Sequence, residues 1–100
     1  MEEKIVEFLR KKIDCYAIVL FGSYSRGTQN AESDIDIAIK LKQKIGKKEL
    51  NRISNELADL LDNDIDLIDL DEIGDTFRYE ILANGKILYT ENEFNFEMYK

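Results

Sequence analysis

Residues 21–39 read FGSYSRGTQNAESDIDIAI, and both the fold and the site depend on this stretch. An apolar run ends at Gly22 and Ser23, and after ten further residues Asp34 and Asp36 head a second apolar run. Side chains alternate between the two faces of a strand, so these two carboxylates are expected on one face. Glycine lets the backbone approach a ligand closely, and serine adds a hydroxyl beside its N–H. The pattern predicts a phosphate cradle beside a hard-metal site, which is the geometry of nucleotide chemistry.

Length, charge and cysteine content limit the classes of protein to consider. One hundred residues suffice for a single domain, 1–100, with one modest core. The net charge of −7 disfavours direct nucleic-acid binding. The longest apolar run, residues 16–21, is far shorter than the about 20 residues of a membrane span, and Cys15 is the only cysteine, so we expect a cytoplasmic protein in which Cys15 is structural. No histidine is present, so any acid–base chemistry or metal binding must come from carboxylates, lysines, tyrosines or the cysteine.

Hydrophobic periodicity predicts helices alternating with strands. The predicted helices are 2–13, 47–62 and one with an apolar stripe of Phe77, Ile81 and Leu82, and the predicted strands are 14–21, 34–41, 65–70 and 86–89. The second strand is expected adjacent or antiparallel to the first, and a helical turn is expected around 25–29. Either a capping box of Asp69 and Glu72 or Asp75 is expected to begin the last helix. The aromatic tail, 91–100, is predicted to pack on the sheet or, if exposed, to dock a partner.

The order Gly-Ser, ten residues, Asp-x-Asp resembles the signature of the DNA polymerase β-type nucleotidyltransferase superfamily. The segments GSYSRGTQNAESDIDIAI, DIDLIDL and ILANGKILY narrow the resemblance to the minimal nucleotidyltransferases (MNT), which include antitoxins encoded beside HEPN-domain ribonuclease toxins. The resemblance covers roughly residues 1–90. It implies an α/β (α+β) fold, with a small mixed β-sheet and helices packed mainly on one face.

A third carboxylate is expected on the strand at 65–70, next to Asp34 and Asp36. Asp64 and Asp66 lie two residues apart, so periodicity cannot separate them. The resemblance favours Asp66, because the third aspartate of the family stands before an apolar pair and a further aspartate, here Asp69. Together the three carboxylates would hold two Mg²⁺ ions about 3.5–4 Å apart. Asp69 alternates to the opposite face and is expected to be a cap or a surface charge.

The remaining candidates would bind the nucleotide. Gly22 and Ser23 would hold the β- and γ-phosphates, and Ser33 would cap or orient the entrance of the second strand. Arg26 is either a phosphate ligand or a salt-bridge partner of Glu32 or Asp34. A lysine-rich segment has two interpretations, a solvated turn before a helix or a cationic rim for a triphosphate, and its members are Lys40, Lys42, Lys44, Lys47 and Lys48.

The resemblance implies an enzyme that transfers AMP from ATP, with Mg²⁺, to a hydroxyl of a second protein. The implied acceptor is a tyrosine of a cognate HEPN toxin, whose ribonuclease activity the modification silences. Two alternatives stay open: a non-catalytic antitoxin that neutralises the toxin by binding, and a nucleotidyltransferase with a small-molecule acceptor. Short edge strands and a small core also leave room for a homodimer.

Overall fold

A computed structural model describes residues 1–22 and 34–91 of the protein. The helical turn expected around 25–29 lies outside the described residues, as does all of the aromatic tail after Glu91. In chain order the elements are α1 (Glu2–Lys12), β1 (Cys15–Phe21), β2 (Ile35–Leu41), α2 (Lys47–Leu61), β3 (Ile65–Asp69), a short 3₁₀ helix (Leu70–Glu72), α3 (Asp75–Asn84) and β4 (Lys86–Thr90). Each predicted helix and strand in the described part of the chain is confirmed. Where the prediction gave the first and last residues of an element, the structure agrees with them to within two residues.

The four strands form one mixed sheet in the order β3-β2-β1-β4. β1 pairs antiparallel with β2, which confirms the predicted neighbour of the first strand, and β1 also pairs antiparallel with β4. β2 and β3 are parallel, because α2 carries the chain back to the starting end of the sheet between them. This crossover brings the beginnings of β2 and β3 to the same end of the sheet, where β1 finishes.

Both faces of the sheet are covered by helices. Ile5 of α1 and Leu57 of α2 are fully buried against one face, together with Ile37 of β2. On the other face Val19 of β1 packs with Ile81 of α3. The prediction of helices mainly on one face is confirmed, and α3 is the helix on the opposite face. Burial on both faces explains why β1 is a continuous apolar run without alternation.

The start of α3 differs from both predictions. Gly74 is the N-cap residue and Asp75 is the first residue of the helix, so Asp75 is not the cap. Asp69 instead caps the 3₁₀ helix, where its carboxylate accepts a hydrogen bond of 2.9 Å from the Asp71 N–H. Asp69 is also buried, and this hydrogen bond satisfies its carboxylate inside the fold. The prediction of a cap is confirmed, and the alternative of a surface charge is wrong.

The apolar stripe predicted for α3 is only partly buried. Ile81 and Leu82 lie in the core, whereas the side chain of Phe77 is 45% exposed at its rim. Cys15 is buried near the start of β1, and desolvation raises the pKa of its thiol, as expected of a structural residue. None of the helices in the described ranges is long and apolar enough to cross a bilayer.

Candidate functional site at the head of the second strand

Strand pairing places Asp36 between the end of β1 and the beginning of β3. Asp36 stands opposite Phe21 in the antiparallel register and opposite Asp66 in the parallel register. Residues paired directly across strands point to the same face of a sheet, so Asp36 and Asp66 are neighbours on one face. This is the face that α3 covers farther along the strands, where Val19 and Ala38 are buried. At the level of Asp36 the face is more open, since Asp36 is only partly buried and Asp66 is exposed.

Asp34 and Asp64 lie just before the two parallel strands. Asp34 is exposed and precedes β2, two residues from Asp36, so strand alternation would keep it on the same side. The Ile35 N–H donates a hydrogen bond of 2.9 Å to the backbone carbonyl of Asp64, which ties the two strand entrances together. The resulting register brings Asp66, and not Asp64, level with Asp36.

The electrostatics of Asp36 agree with this placement. Partial burial raises the pKa of Asp36 above its ordinary value of 3.8, and the carboxylates of Asp66 and Asp34 raise it further. Three like charges on one face destabilise each other when nothing neutralises them. A divalent cation would remove this repulsion, and carboxylate oxygens are the hard ligands that Mg²⁺ prefers.

The carboxylates fit a metal by chemistry and by charge, although the site is not a closed cage. Within residues 1–22 and 34–91, no three histidine, cysteine, aspartate or glutamate side chains converge closely enough to hold an ion by themselves. Mg²⁺ commonly binds through one or two carboxylates and completes its shell with water and substrate phosphates. An open face carrying Asp34, Asp36 and Asp66 is compatible with that mode of binding.

Gly22 is in close contact with Asp36. Its φ of +74° is a conformation that residues with a side chain rarely adopt. A Cβ added at this position would overlap Oδ2 of Asp36 and lie 3.2 Å from its Cγ. The sequence predicted that glycine allows close approach of a ligand, and the structure adds that it makes room for the Asp36 carboxylate itself.

Three predicted nucleotide-binding residues lie outside the described residues: Ser23, Arg26 and Ser33. Their proposed contacts with phosphate, and the alternative salt bridges of Arg26, stay predictions. Gly22 is therefore the member of the predicted phosphate loop whose position the structure gives.

Three lysines of the lysine-rich segment form ion pairs with carboxylates of the same chain. Lys40 and Lys44 lie 2.6 Å from carboxylate oxygens of Asp71 and Glu72, and Lys42 lies 2.5 Å from Glu91. Lys40 is four residues beyond Asp36, about 13 Å along the strand at 3.3 Å per residue. These lysines thus lie toward the other end of β2 from the carboxylates, in and beside the exposed turn that leads to α2.

Sequence reasoning missed a cavity that adjoins the carboxylate face. It has a volume of about 590 Å³ and lies between the end of β1 and α3. Its lining residues are Phe21, Gly22, Phe77, Glu80, Ile81, Asn84 and Gly85. The position of Phe21 directly before Gly22 was a usable signal, but the contribution of α3 depends on how the helix lies across the sheet.

The sequence of this chain is similar to those of known nucleotidyltransferases. Residues 3–94 match the family described as polymerase beta, nucleotidyltransferase. Protein adenylyltransferase MntA of Shewanella oneidensis is 37% identical over 89 residues, which are 88% of this chain and 64% of that protein. The chain thus spans a little under two thirds of the length of this curated relative.

Solved structures resemble the whole described fold. A crystal structure of a toxin-antitoxin with AMP-PNP contains a chain that superimposes with a TM-score of 0.87 at 36% identity, covering 92% of this chain and 75% of that one. A structure of the tri-AMPylated Shewanella oneidensis HEPN toxin in complex with MNT antitoxin contains a chain that matches with a TM-score of 0.78 at 32% identity, covering 92% and 71%.

Proposed function

The chain belongs to the polymerase beta nucleotidyltransferase family, and we propose that it transfers AMP from ATP to a hydroxyl of a second protein. The proposed acceptor is a tyrosine of a cognate HEPN-domain toxin, and the proposed role is that of an antitoxin. The similar complexes of toxin and antitoxin support this assignment, since one contains AMP-PNP and another a tri-AMPylated toxin. The same proposal includes ATP as the substrate, the HEPN toxin as the partner and the cytoplasm as the location.

The observation that carries the proposal is the register of Asp36 with Asp66 beside Gly22. Two carboxylates from parallel strands share a face, and Asp34 adds a third at the entrance of β2. Gly22 marks the end of β1 immediately next to them. A nucleotide whose phosphates run along Gly22 would therefore present its α-phosphorus to the carboxylate face.

The chemistry assigns a task to each residue. The acceptor hydroxyl attacks the α-phosphorus of ATP in line, the bond to the bridging oxygen breaks, and pyrophosphate leaves. Asp34 and Asp36 would hold the two Mg²⁺ ions, which neutralise the triphosphate and lower the pKa of the attacking hydroxyl when bound. Asp66, exposed beside Asp36, would complete the set and help accept the hydroxyl proton. The backbone of Gly22 would position the phosphates.

Label transfer between purified proteins tests the proposal. The chain, the cognate HEPN protein and ATP labelled at the α-phosphate are mixed with Mg²⁺, and labelled protein is measured. We expect the HEPN protein to carry the label and Asp36→Asn to abolish transfer. Asp59→Asn is the matched control, because it removes the same charge from an exposed position on α2, away from the site. Label on a small molecule and on no protein would contradict the proposed acceptor.

A non-catalytic antitoxin, which neutralises its toxin by binding alone, is the alternative that the same substitution tests. If the chain acts by binding alone, Asp36→Asn will neutralise the toxin as well as the unmutated chain does. If it acts by AMP transfer, the same substitution will release the ribonuclease activity while the two proteins still associate.

A further inference from the structure

The cavity beside Gly22 adjoins the carboxylate face. Phe21 lines the cavity and also pairs directly with Asp36, so one residue of β1 borders both. The volume of about 590 Å³ falls within the roughly 300–1,000 Å³ that small-molecule sites occupy. A ligand whose phosphates lie along Gly22 could therefore extend into this cavity without leaving the site.

The apolar wall of the cavity is aromatic. The rings of Phe21 and Phe77 meet edge to face, with centroids 6.0 Å apart and an angle of 81° between their planes. In this arrangement the two rings do not stack on each other, and Phe77 is 45% exposed. An exposed ring that is held in place by a neighbouring ring suits stacking against a flat heterocycle.

The polar wall of the cavity supplies hydrogen-bond acceptors and negative charge. It is the last turn of α3, where a helix carries partial negative charge on its carbonyl groups. Glu80 contributes an exposed carboxylate, and the Asn84 amide donates to the Glu80 carbonyl at 3.2 Å, which leaves its own Oδ1 as an acceptor. None of the described residues that line the cavity is basic. This wall repels phosphate and attracts a donor such as an exocyclic amino group.

We propose that this cavity binds the adenine base of ATP, with Phe77 stacking on the ring and Glu80 accepting a hydrogen bond from the 6-amino group. The inference rests on the proposed function, because it concerns the nucleotide used there. It also gives the nucleotide a direction: the base lies against α3, the α-phosphorus, which is the phosphorus nearest the ribose, faces Asp36, and the β- and γ-phosphates lie along Gly22. Hypoxanthine, which carries a carbonyl oxygen in place of the amino group, would meet a wall of acceptors.

Binding measurements separate the base from the phosphates. Titration calorimetry with Mg²⁺ would compare ATP with inorganic tripolyphosphate, which has neither base nor ribose. We expect Phe77→Ala to weaken ATP binding about 5- to 150-fold, the range for loss of one stacked base, and to leave tripolyphosphate binding unchanged. Phe77→Tyr keeps the ring and should keep the affinity. Tyr79→Ala is the matched control, because Tyr79 is 59% exposed on the same helix and does not line the cavity.

The amino-group contact has its own test. Glu80→Gln replaces an acceptor by a side chain that can also donate, so the preference for ATP over ITP should shrink, with tripolyphosphate again unchanged. Equal losses of ATP and tripolyphosphate in Phe77→Ala, no loss of either, or an unaltered ATP-to-ITP ratio in Glu80→Gln would overturn the base site.

The outcomes for the base site and for the enzyme are distinguishable. If the unmutated chain binds ATP and transfers AMP while Phe77→Ala binds ATP equally well, the base site is wrong and the proposed function stands. If the unmutated chain neither binds ATP nor transfers AMP to its partner, the proposed function is wrong and the base site with it.

Discussion

Substitution of Gly22 by alanine should damage the fold and the site through one added carbon atom. Gly22 has a φ of +74°, and its Cα faces the Asp36 carboxylate so closely that a Cβ would overlap Oδ2. The left-handed conformation costs a residue with a Cβ about 1–2 kcal/mol. Overlap with a packed neighbour typically adds about 1–3 kcal/mol, and rotation of the Asp36 side chain would relieve part of it. We therefore expect a loss of about 2–3 kcal/mol in the free energy of unfolding.

The effect on catalysis should exceed the effect on stability. Alanine at position 22 must push the Asp36 carboxylate away from its position, and misplacement of a reacting group by about 1 Å can cost about 100-fold in rate. Urea unfolding gives the stability, and transfer of labelled AMP gives the rate, both on the same variant. We expect Gly22→Ala to remain folded in the absence of denaturant and to lose at least about 100-fold in transfer.

Two comparisons decide whether the reasoning is right. Gly46→Ala is the control, because Gly46 has a φ of −69° and no atom lies within 4 Å of an added Cβ, so the expected cost is about 1 kcal/mol or less, from the preference of N-cap positions for glycine over alanine. In the Asp36→Ala background the overlap disappears, and Gly22→Ala should cost only the conformational part. Equal costs of Gly22→Ala in both backgrounds would refute the proposed contact.

Three further predictions concern charge, metal and core. Folding raises the pKa of Asp36, so the stability contributed by its protonated form is complete below pH 3.8 and is lost as the pH rises through the higher pKa of the folded state. Asp36→Asn should therefore raise the melting temperature more at pH 7 than at pH 3.5 in metal-free buffer. An equal rise at both pH values would contradict this reasoning. Mg²⁺ with ATP should raise the melting temperature of the unmutated chain but not of Asp34→Ala/Asp36→Ala; the same rise in both would place the ligand elsewhere. Leu57→Ala, at a fully buried position of α2, should cost about 2–5 kcal/mol in urea unfolding, against about 0.5 kcal/mol or less for Leu60→Ala, which is 51% exposed; similar costs would contradict the packing described for this helix.

The strands, and the face of the second strand on which Asp36 lies, were predictable because their signals are local. Alternation alone puts Asp36 and Ile37 on opposite faces, and Ile37 is fully buried while Asp36 is not. The position of the third carboxylate was not local. Asp64 and Asp66 have the same parity, and the pairing of β3 with β2 distinguishes them, because it places Asp66 opposite Asp36 and joins the Ile35 N–H to the Asp64 carbonyl.

Features that depend on the packing of segments distant in sequence could not be predicted from the sequence. The partner of Lys40 is Asp71, 31 residues away, and a run of lysines does not indicate which acids will approach it. Asp69 was expected at the surface as one alternative, yet a bond to the following backbone lets it be buried. The cavity arises because α3 buries Ile81 and leaves Phe77 at its rim against β1, and the spacing of apolar residues cannot set that angle.

The intact mass of the cognate HEPN protein, co-expressed with this chain or with its Asp34→Ala/Asp36→Ala form, tests the central claim most directly. AMP transfer predicts a mass increase in whole AMP units with the unmutated chain and none with the variant. An unchanged mass, in a HEPN protein that still forms a tight complex with the chain, would contradict it and favour neutralisation by binding alone.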